Sequence, residues 1–392
     1  MLTDRIGRIT PSATLAMTAK AAELRATGKK VINLSVGEPD FQTPEHIKNA
    51  GKVAIDNGST RYTPGGGTLE LKIAACTKMK RDNNLIYDPS QVLVSCGGKH
   101  SLYNACQALF QKRDEVIIFS PYWVSFPDFV SVTGAKPVFV KTDPNNQYEP
   151  IWNDLKGKLN SNTKGIIINS PSNPTGGVWS DEAVIEVIKL AKTIDAWVFS
   201  DECYEQLTYD RPYVSTASLI NDYDKILTFQ SCSKTYAMTG WRIGYAAGNS
   251  KVINAMGKLQ GQSTSCPNSI AQKAAIEALT GDQTIVSEMR KIFKVRRNYI
   301  VTRLNNMEGV ICDNPGGAFY VFPNFTQILK NSNKINSSND LSMYLLENKA
   351  LVSVSGSAFG SDGNIRFSYA ASDDDLSTAM DLLEESLIEI QN

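Results

Sequence analysis

From residue 91 onward the chain repeats one unit: a short apolar run, a turn-forming loop, then a helical stretch. The apolar runs are Gln91–Ser95, Glu115–Phe119, Lys136–Val140, Gly165–Asn169, Ala196–Ser200 and Lys225–Gln230. Most carry consecutive Val, Ile, Leu or Phe, without the strict alternation of a half-exposed strand. Apolar strands separated by helices pack as a mostly parallel sheet covered on both faces. The expected class is therefore α/β. Ligands of such sheets bind beyond the carboxyl ends of the strands. The unusual loops Cys96–Lys99, Ser120–Trp123, Ser170–Gly176, Asp201–Tyr204 and Ser231–Lys234 all follow a strand. They can converge although they are far apart in sequence.

The flanking regions differ. Residues 11–29 read as a helix stopped by Gly28, and 31–34 as a short strand. Pro44 opens a helix over 45–57, and another runs through about 68–83. After about residue 290 the grammar changes to a long amphipathic helix near 285–307, strands at 350–354 and 364–369, and a helix from Asp373. Residues 331–339 read as a flexible polar loop. The expected organisation is an N-terminal arm and helix over 1–40 that joins the small domain, a large domain over 41–290, and a smaller α+β domain over 291–392.

Composition removes several function classes. Lys plus Arg and Asp plus Glu number 40 each, so there is no basic footprint for nucleic acid. Only two histidines occur, His46 and His100, which supplies a His-based metal site or a Ser-His-Asp triad poorly. No metal is expected. The seven cysteines are odd in number and lack C-x-x-C spacing, as in a reduced, cytoplasmic protein. No stretch approaches transmembrane length and no signal-peptide core is visible, so no membrane partner is expected.

The segment Ser231-Cys-Ser-Lys234 through Thr239-Gly-Trp-Arg242 sets one lysine among hydroxyls, with an arginine eight positions on. Taken alone, Ser-x-Ser-Lys is more often a solvated surface site. An amine there could form a Schiff base with a phosphorylated aldehyde, while the hydroxyls, turn amides and Arg242 hold the phosphate. Pyridoxal phosphate chemistry needs further groups, and other strand ends offer them. Asp201 can pair with a protonated ring nitrogen, although lone acids there are usually caps. Tyr204 lies a helical turn away. Asn173 can donate to the ring oxygen, although Asn-Pro is also an ordinary turn pair. Gly97 and Gly98 open a helix that favours an anion. Trp123 can stack, or be a core aromatic. Arg366, inside an apolar strand, must find an anion: a substrate carboxylate or a structural partner.

Together these marks resemble the fold-type I aminotransferases of class I, most of all the bacterial aspartate aminotransferase subgroup Ib. The resemblance rests on Ser12-Ala-Thr-Leu15, Gly37-Glu-Pro-Asp-Phe41, Tyr62-Thr-Pro64, Pro121-Tyr-Trp-Val-Ser125, Asn169-Ser-Pro-Ser-Asn-Pro-Thr-Gly176, Ser200-Asp-Glu202, Ser233-Lys234, Gly317-Ala-Phe-Tyr320 and Arg366. It implies a large domain with a mostly parallel seven-stranded sheet, pyridoxal 5'-phosphate as cofactor, and a homodimer with shared active sites. Lys234 would hold the cofactor and shuttle a proton, with Asp201 and Tyr204 as its catalytic neighbours. Gly97, Gly98, Lys99 (by its amide), Ser231, Ser233 and Arg242 would hold the phosphate. Tyr62 would reach the phosphate of the neighbouring subunit. Trp123, Asn173, Asp201 and Tyr204 would contact the ring. Arg366, Asn173, Trp123 and Gly37 would bind the substrate α-carboxylate end.

The expected substrates are amino acids and 2-oxo acids, exchanged by ping-pong transamination. Lys99 matches a subgroup lysine able to pair with a side-chain carboxylate, which favours aspartate and glutamate with oxaloacetate and 2-oxoglutarate. Thr14 with Lys99 resembles the pair of members that convert prephenate to arogenate, a second hypothesis. An aromatic or alanine aminotransferase, or a β-lyase, shares most of this site. A regulator would need an added DNA-binding segment, and a nicotinamide-dependent dehydrogenase a Gly-rich fingerprint; neither is found. Cys266, His100, Cys96 and Cys232 depart from the residues common at their positions.

Overall fold

The computed structural model describes residues 2–11 and 13–391, without the side chains of residues 13–16 and 18. Its central sheet has the order Val92–Ser95, Gly244–Ala247, Ile226–Ser231, Trp197–Asp201, Thr163–Asn169, Glu115–Ser120, Lys136–Asp143 and Glu149–Pro150. Five of these strands run parallel in succession, from Ile226–Ser231 to Lys136–Asp143. Gly244–Ala247 is antiparallel to both neighbours. Seven strands of four or more residues form the sheet proper, and the two-residue Glu149–Pro150 adds an antiparallel edge.

The strands are apolar because helices cover both faces. Val187, Ile188 and Ala191 of the helix Asp181–Thr193 pack on one side with Ile166, Ile168 and Val198. Leu102, Ala105 and Cys106 of the helix Gly98–Leu109 pack on the other with Ile167, Phe199 and Leu227. Each helix begins where its sequence allows: Ser180 caps the first by accepting from Ala183 N at 3.2 Å. Gly97, at φ +90°, supplies the turn before the second.

Strand order reverses between Thr163–Asn169 and Glu115–Ser120. Successive strands run one way through Trp197–Asp201 and Ile226–Ser231, and the other way through Lys136–Asp143. That reversal opens a crevice at the carboxyl ends.

The C-terminal region is built on the helix Thr284–Asn305 and a three-stranded antiparallel sheet of Tyr320–Val321, Ile365–Ser368 and Val354–Ser355. The strand Ile32–Asn33 pairs parallel with Leu351–Val352. Phe293, Ile300, Leu304, Phe319, Phe325 and Leu345 share one core with Ile32 and Leu34.

Some expectations change. Tyr204 lies in a turn over 203–206, not a helix. The polar segment near 331–339 is shorter than expected, because helices end at Asn331 and start at Ser338. Ser337 caps the second of these by accepting from Asp340 N at 3.1 Å. The strand Gly244–Ala247 is not foreseen. Its Gly-Tyr-Ala-Ala sequence has no β-branched residue, but it is buried between two strands, and a Cβ at Gly244 would lie 2.2 Å from Gly98 N. Among the described residues no helix is long and apolar enough to cross a membrane.

Candidate active site

The carboxyl-end loops surround a cavity of about 360 Å³ whose lining includes Lys234, Asp201, Asn173, Trp123, Arg242 and Arg366. Lys234 sits in the one-turn helix Cys232–Thr235, directly after the strand Ile226–Ser231. Its Nζ donates to the Gly37 carbonyl. Burial holds its pKa below the ordinary lysine value, and the charges of Arg242 and Arg366 act the same way, against Cys203 and Glu38. Burial thus favours the neutral amine, the form in which a nucleophile or base acts.

Asp201 ends the neighbouring strand and accepts from Cys203 N at 3.2 Å. Burial raises its pKa from 3.8 to about 7, and the Glu202 charge adds to this while Lys234 opposes it. The folded, cofactor-free protein thus retains a proton there that the unfolded chain releases near 3.8. Its contribution to stability is present below that value and is lost as pH rises through about 7. We expect the cofactor-free protein to lose stability relative to Asp201→Asn between pH 4 and 7, by on the order of a few kcal/mol. Thermal denaturation of both proteins at pH 5 and pH 8 measures it; parallel pH dependence would refute the assignment.

One end of the cavity suits a polyanion. Ser231 Oγ donates to Ser233 Oγ at 2.9 Å and accepts from Ser233 N at 3.1 Å. Arg242 donates from Nη1 to Thr239 O at 2.7 Å and from Nη2 to Cys96 O at 3.3 Å. Among the described residues no carboxylate forms an ion pair with Arg242. The N-terminus of the 12-residue helix Gly98–Leu109 faces the same space. A Cβ on Gly97 would lie 2.4 Å from Arg242 Nη2, so the absent side chain is what lets the guanidinium in.

The other end suits a carboxylate. Arg366 is only 2% exposed, yet it pairs with no acid among the described residues. Nη1 donates to Asn173 Oδ1 at 2.8 Å and Nη2 to Ser35 O at 2.6 Å, while Nε has no partner. The guanidinium lies 4.6 Å from the Tyr320 ring centre and 5.0 Å from that of Phe359. With its oxygen taken by Arg366, Asn173 keeps its amide hydrogens for other acceptors. Trp123 packs edge-on against Phe126 and Phe129, with Lys99 Nζ 4.9 Å from its ring centre.

The structure thus brings Lys234, Asp201, Tyr204, Asn173, Trp123, Gly98, Lys99, Ser231, Ser233, Arg242, Arg366 and Gly37 to one cavity, with Gly97 immediately beside it. It does not bring Tyr62, which is 89% exposed and absent from the lining. The Thr14 side chain lies outside the described residues. Sequence reasoning assigned no role to Asn169, Cys203 or Tyr320, which also line the cavity. Asn169 and Tyr320 stood inside motifs already singled out. What places Asn169 there is its register opposite Asp201. Of the four departures, Cys232 is buried with its thiol pushed up to about 12 by burial, and His100 Nδ1 accepts from Cys96 N at 3.4 Å.

Relatives match the chain over nearly its whole length. The chain is 45% identical over 385 residues to an aspartate/prephenate aminotransferase of Cereibacter sphaeroides, covering 96% of each. It is 43% identical over 392 residues to an aspartate aminotransferase of Bacillus subtilis, covering 100% of this chain and 98% of that one. The structure of the aspartate aminotransferase of Thermus thermophilus with maleate superposes with a TM-score of 0.94 at 37% identity, covering 98% of this chain and 99% of that one. The family described as aminotransferase class I and II matches residues 29–383. With that match spanning both the crevice loops and the Arg366 strand, the chain belongs to the class I and II aminotransferases.

Proposed function

We propose that this aminotransferase exchanges amino groups between aspartate or glutamate and the corresponding 2-oxo acids, oxaloacetate and 2-oxoglutarate. One observation carries the reading: a buried, acid-free guanidinium at Arg366 faces the same cavity as a buried amine at Lys234. A buried guanidinium without an acid suits an anionic ligand that would complete it.

The cofactor of this family is pyridoxal 5'-phosphate, and the residues present fit it. Ser231, Ser233, Arg242 and the helix start at Gly98 form an anion cradle, Asp201 offers a carboxylate for a ring nitrogen, and Lys234 offers the amine. When bound, the cofactor supplies an aldehyde for the amino group and a ring that withdraws electrons from the substrate α-carbon. Around it the Arg366 guanidinium would grip the α-carboxylate, while Asn173 Oδ1 fixes that guanidinium. Lys234, whose burial favours the neutral amine, would take the α-proton at Nζ and hold it for return. Asp201 would pair with the ring nitrogen and hold a proton there. Tyr204 and Asn173 would donate to the ring oxygen, and Trp123 would cover the ring and exclude water.

Lys99 supplies the preference for acidic side chains. Its ammonium overhangs Trp123 at the cavity wall. We expect Lys99→Ala to lower kcat/KM for aspartate about tenfold more than for alanine, in keeping with a solvent-accessible ion pair. Equal losses on both substrates would remove the argument for acidic specificity. The broader test is a half-reaction screen: aspartate and glutamate should bleach the visible band of the holoenzyme faster than aromatic or uncharged amino acids. The relative named for both aspartate and prephenate favours prephenate as a second acceptor, and arogenate formation checks it.

The same reading makes the enzyme a homodimer in the cytoplasm, with domains at 1–40, 41–290 and 291–392. The pairing of Ile32–Asn33 with Leu351–Val352 supports joining the N-terminal arm to the small domain. The exposed Tyr62 supports a shared site, because its loop is held rigid from behind. Gln260 Nε2 donates to Gly65 O at 2.6 Å and Gln272 Nε2 to Thr63 Oγ1 at 2.9 Å. A fully active monomer in sedimentation would exclude the dimer.

A further inference from the structure

Tyr320 opens the short strand Tyr320–Val321, which pairs antiparallel with the strand that carries Arg366. Its side chain is fully buried. It touches two groups that the mechanism uses separately. Its ring lies 4.6 Å from the Arg366 guanidinium, and its hydroxyl lies 2.8 Å from the Tyr204 hydroxyl. Gly37 makes room for this meeting, since a Cβ there would come 3.0 Å from Tyr320 Oη.

Two facing phenols form one hydrogen bond between them. One hydroxyl donates, and the other keeps its hydrogen for a different acceptor. The cation on the Tyr320 ring withdraws electrons from that phenol and makes it the better donor. The acidities agree: burial pushes Tyr320 up to about 12, with Arg366 opposing, while Tyr204 rises well above its usual value. Both observations favour the arrangement in which Tyr320 donates and Tyr204 accepts. The Tyr204 ring is fixed edge-on between Phe319 and Tyr320, at 5.5 and 5.8 Å, and in that arrangement its own hydrogen is free for an acceptor in the cavity it lines.

We propose that Tyr320 is a positioning residue with two tasks: its hydroxyl donates to Tyr204 and aims the Tyr204 hydrogen at the cofactor ring oxygen, and its ring fixes the guanidinium of Arg366 against which the substrate carboxylate docks. The inference rests on the aminotransferase reading. It also ties the substrate-carboxylate site to the cofactor site through one side chain.

The test uses purified holoenzyme and two readouts: the pH midpoint of the visible band and the dissociation constant of maleate as a non-reacting dicarboxylate. When the donor at the ring oxygen weakens, that oxygen holds the proton on the Lys234 nitrogen more tightly, so the midpoint rises. The charged and titratable groups around Lys234, namely Asp201, Glu38, Arg242, Arg366 and the Cys203 thiol, are left in place. Tyr320→Phe is expected to raise the midpoint by about one pH unit, as for the loss of one hydrogen bond. Maleate affinity, measured below both midpoints, should change less than about twofold, because the ring remains. Tyr320→Leu should raise the midpoint equally and also weaken maleate about tenfold. Tyr204→Phe should raise the midpoint, and adding Tyr320→Phe to it should add nothing, because one hydroxyl acts through the other. An unchanged midpoint in Tyr320→Phe, or additive shifts in the double variant, would overturn the proposal. A wild-type holoenzyme with no visible band would overturn the aminotransferase reading itself.

Discussion

Replacing Lys234 with alanine is expected to abolish the visible band of the holoenzyme and to lower kcat for aspartate by at least about 10⁴-fold, the upper range for loss of a positioned acid–base group. No neighbour can take over. The other lysine at the cavity, Lys99, has its Nζ over Trp123 at 4.9 Å from the ring centre, whereas Lys234 Nζ reaches the Gly37 carbonyl. Arg242 and Arg366 line the cavity too, but a guanidinium stays protonated and is a poor nucleophile. The fold should survive the change. The Lys234 amine is buried, its single described hydrogen bond goes to Gly37, and burial already works against its charge. Removing it therefore costs little, and the cofactor-free variant should melt close to wild type. An absorbance scan with cofactor and a steady-state assay measure both effects. A variant that kept the visible band would refute the role assigned to Lys234.

Arg366→Met is expected to have effects of opposite sign on activity and on stability. The guanidinium is 2% exposed and has no acidic partner among the described residues. Truncating one member of a buried, hydrogen-bonded charge pair costs about 2–5 kcal/mol of binding, so kcat/KM should fall by roughly 30-fold to several thousand-fold. Most of that loss should appear in KM and in maleate affinity, because Arg366 touches the carboxylate and not the reacting carbon. Stability should behave otherwise. Without substrate the cation is desolvated and lacks an acid, having only two hydrogen bonds and two ring faces. A methionine of comparable length removes that desolvation cost, although it leaves Asn173 Oδ1 and Ser35 O each short of a donor. The melting temperature without cofactor should hold or rise, and maleate should no longer raise it. A large drop in melting temperature with unchanged maleate affinity would show that Arg366 is a structural residue.

Much of this was legible in the chain because strand ends are marked twice. An apolar run predicts the strand, and the hydroxyl, glycine or proline residues after it predict the loop. That is how Asp201, Asn173, Trp123 and Lys234 were all placed at carboxyl ends. The strand Gly244–Ala247 escaped because its small residues carry no β signal, and burial between two strands supplies what propensity does not. Tyr204 reaches the cavity from a turn rather than a helix, since the tight backbone turn that begins at Glu202 brings it back over the strand end. Tyr320 was visible as part of a motif, but its meeting with Tyr204 spans 116 residues, and no local pattern encodes such a pairing.

The sequence by itself determined the class of fold, the positions of the loops and the set of reactive side chains, because each depends on short-range periodicity and residue chemistry. Only the tertiary structure decided what those side chains experience. Burial among neighbours from distant parts of the chain moves Asp201 up to about 7 and Lys234 down. It also leaves Arg366 without an acid. Desolvation and pairing depend on neighbours distant in sequence, so the charges that make the site chemically useful exist only once the chain has folded around them.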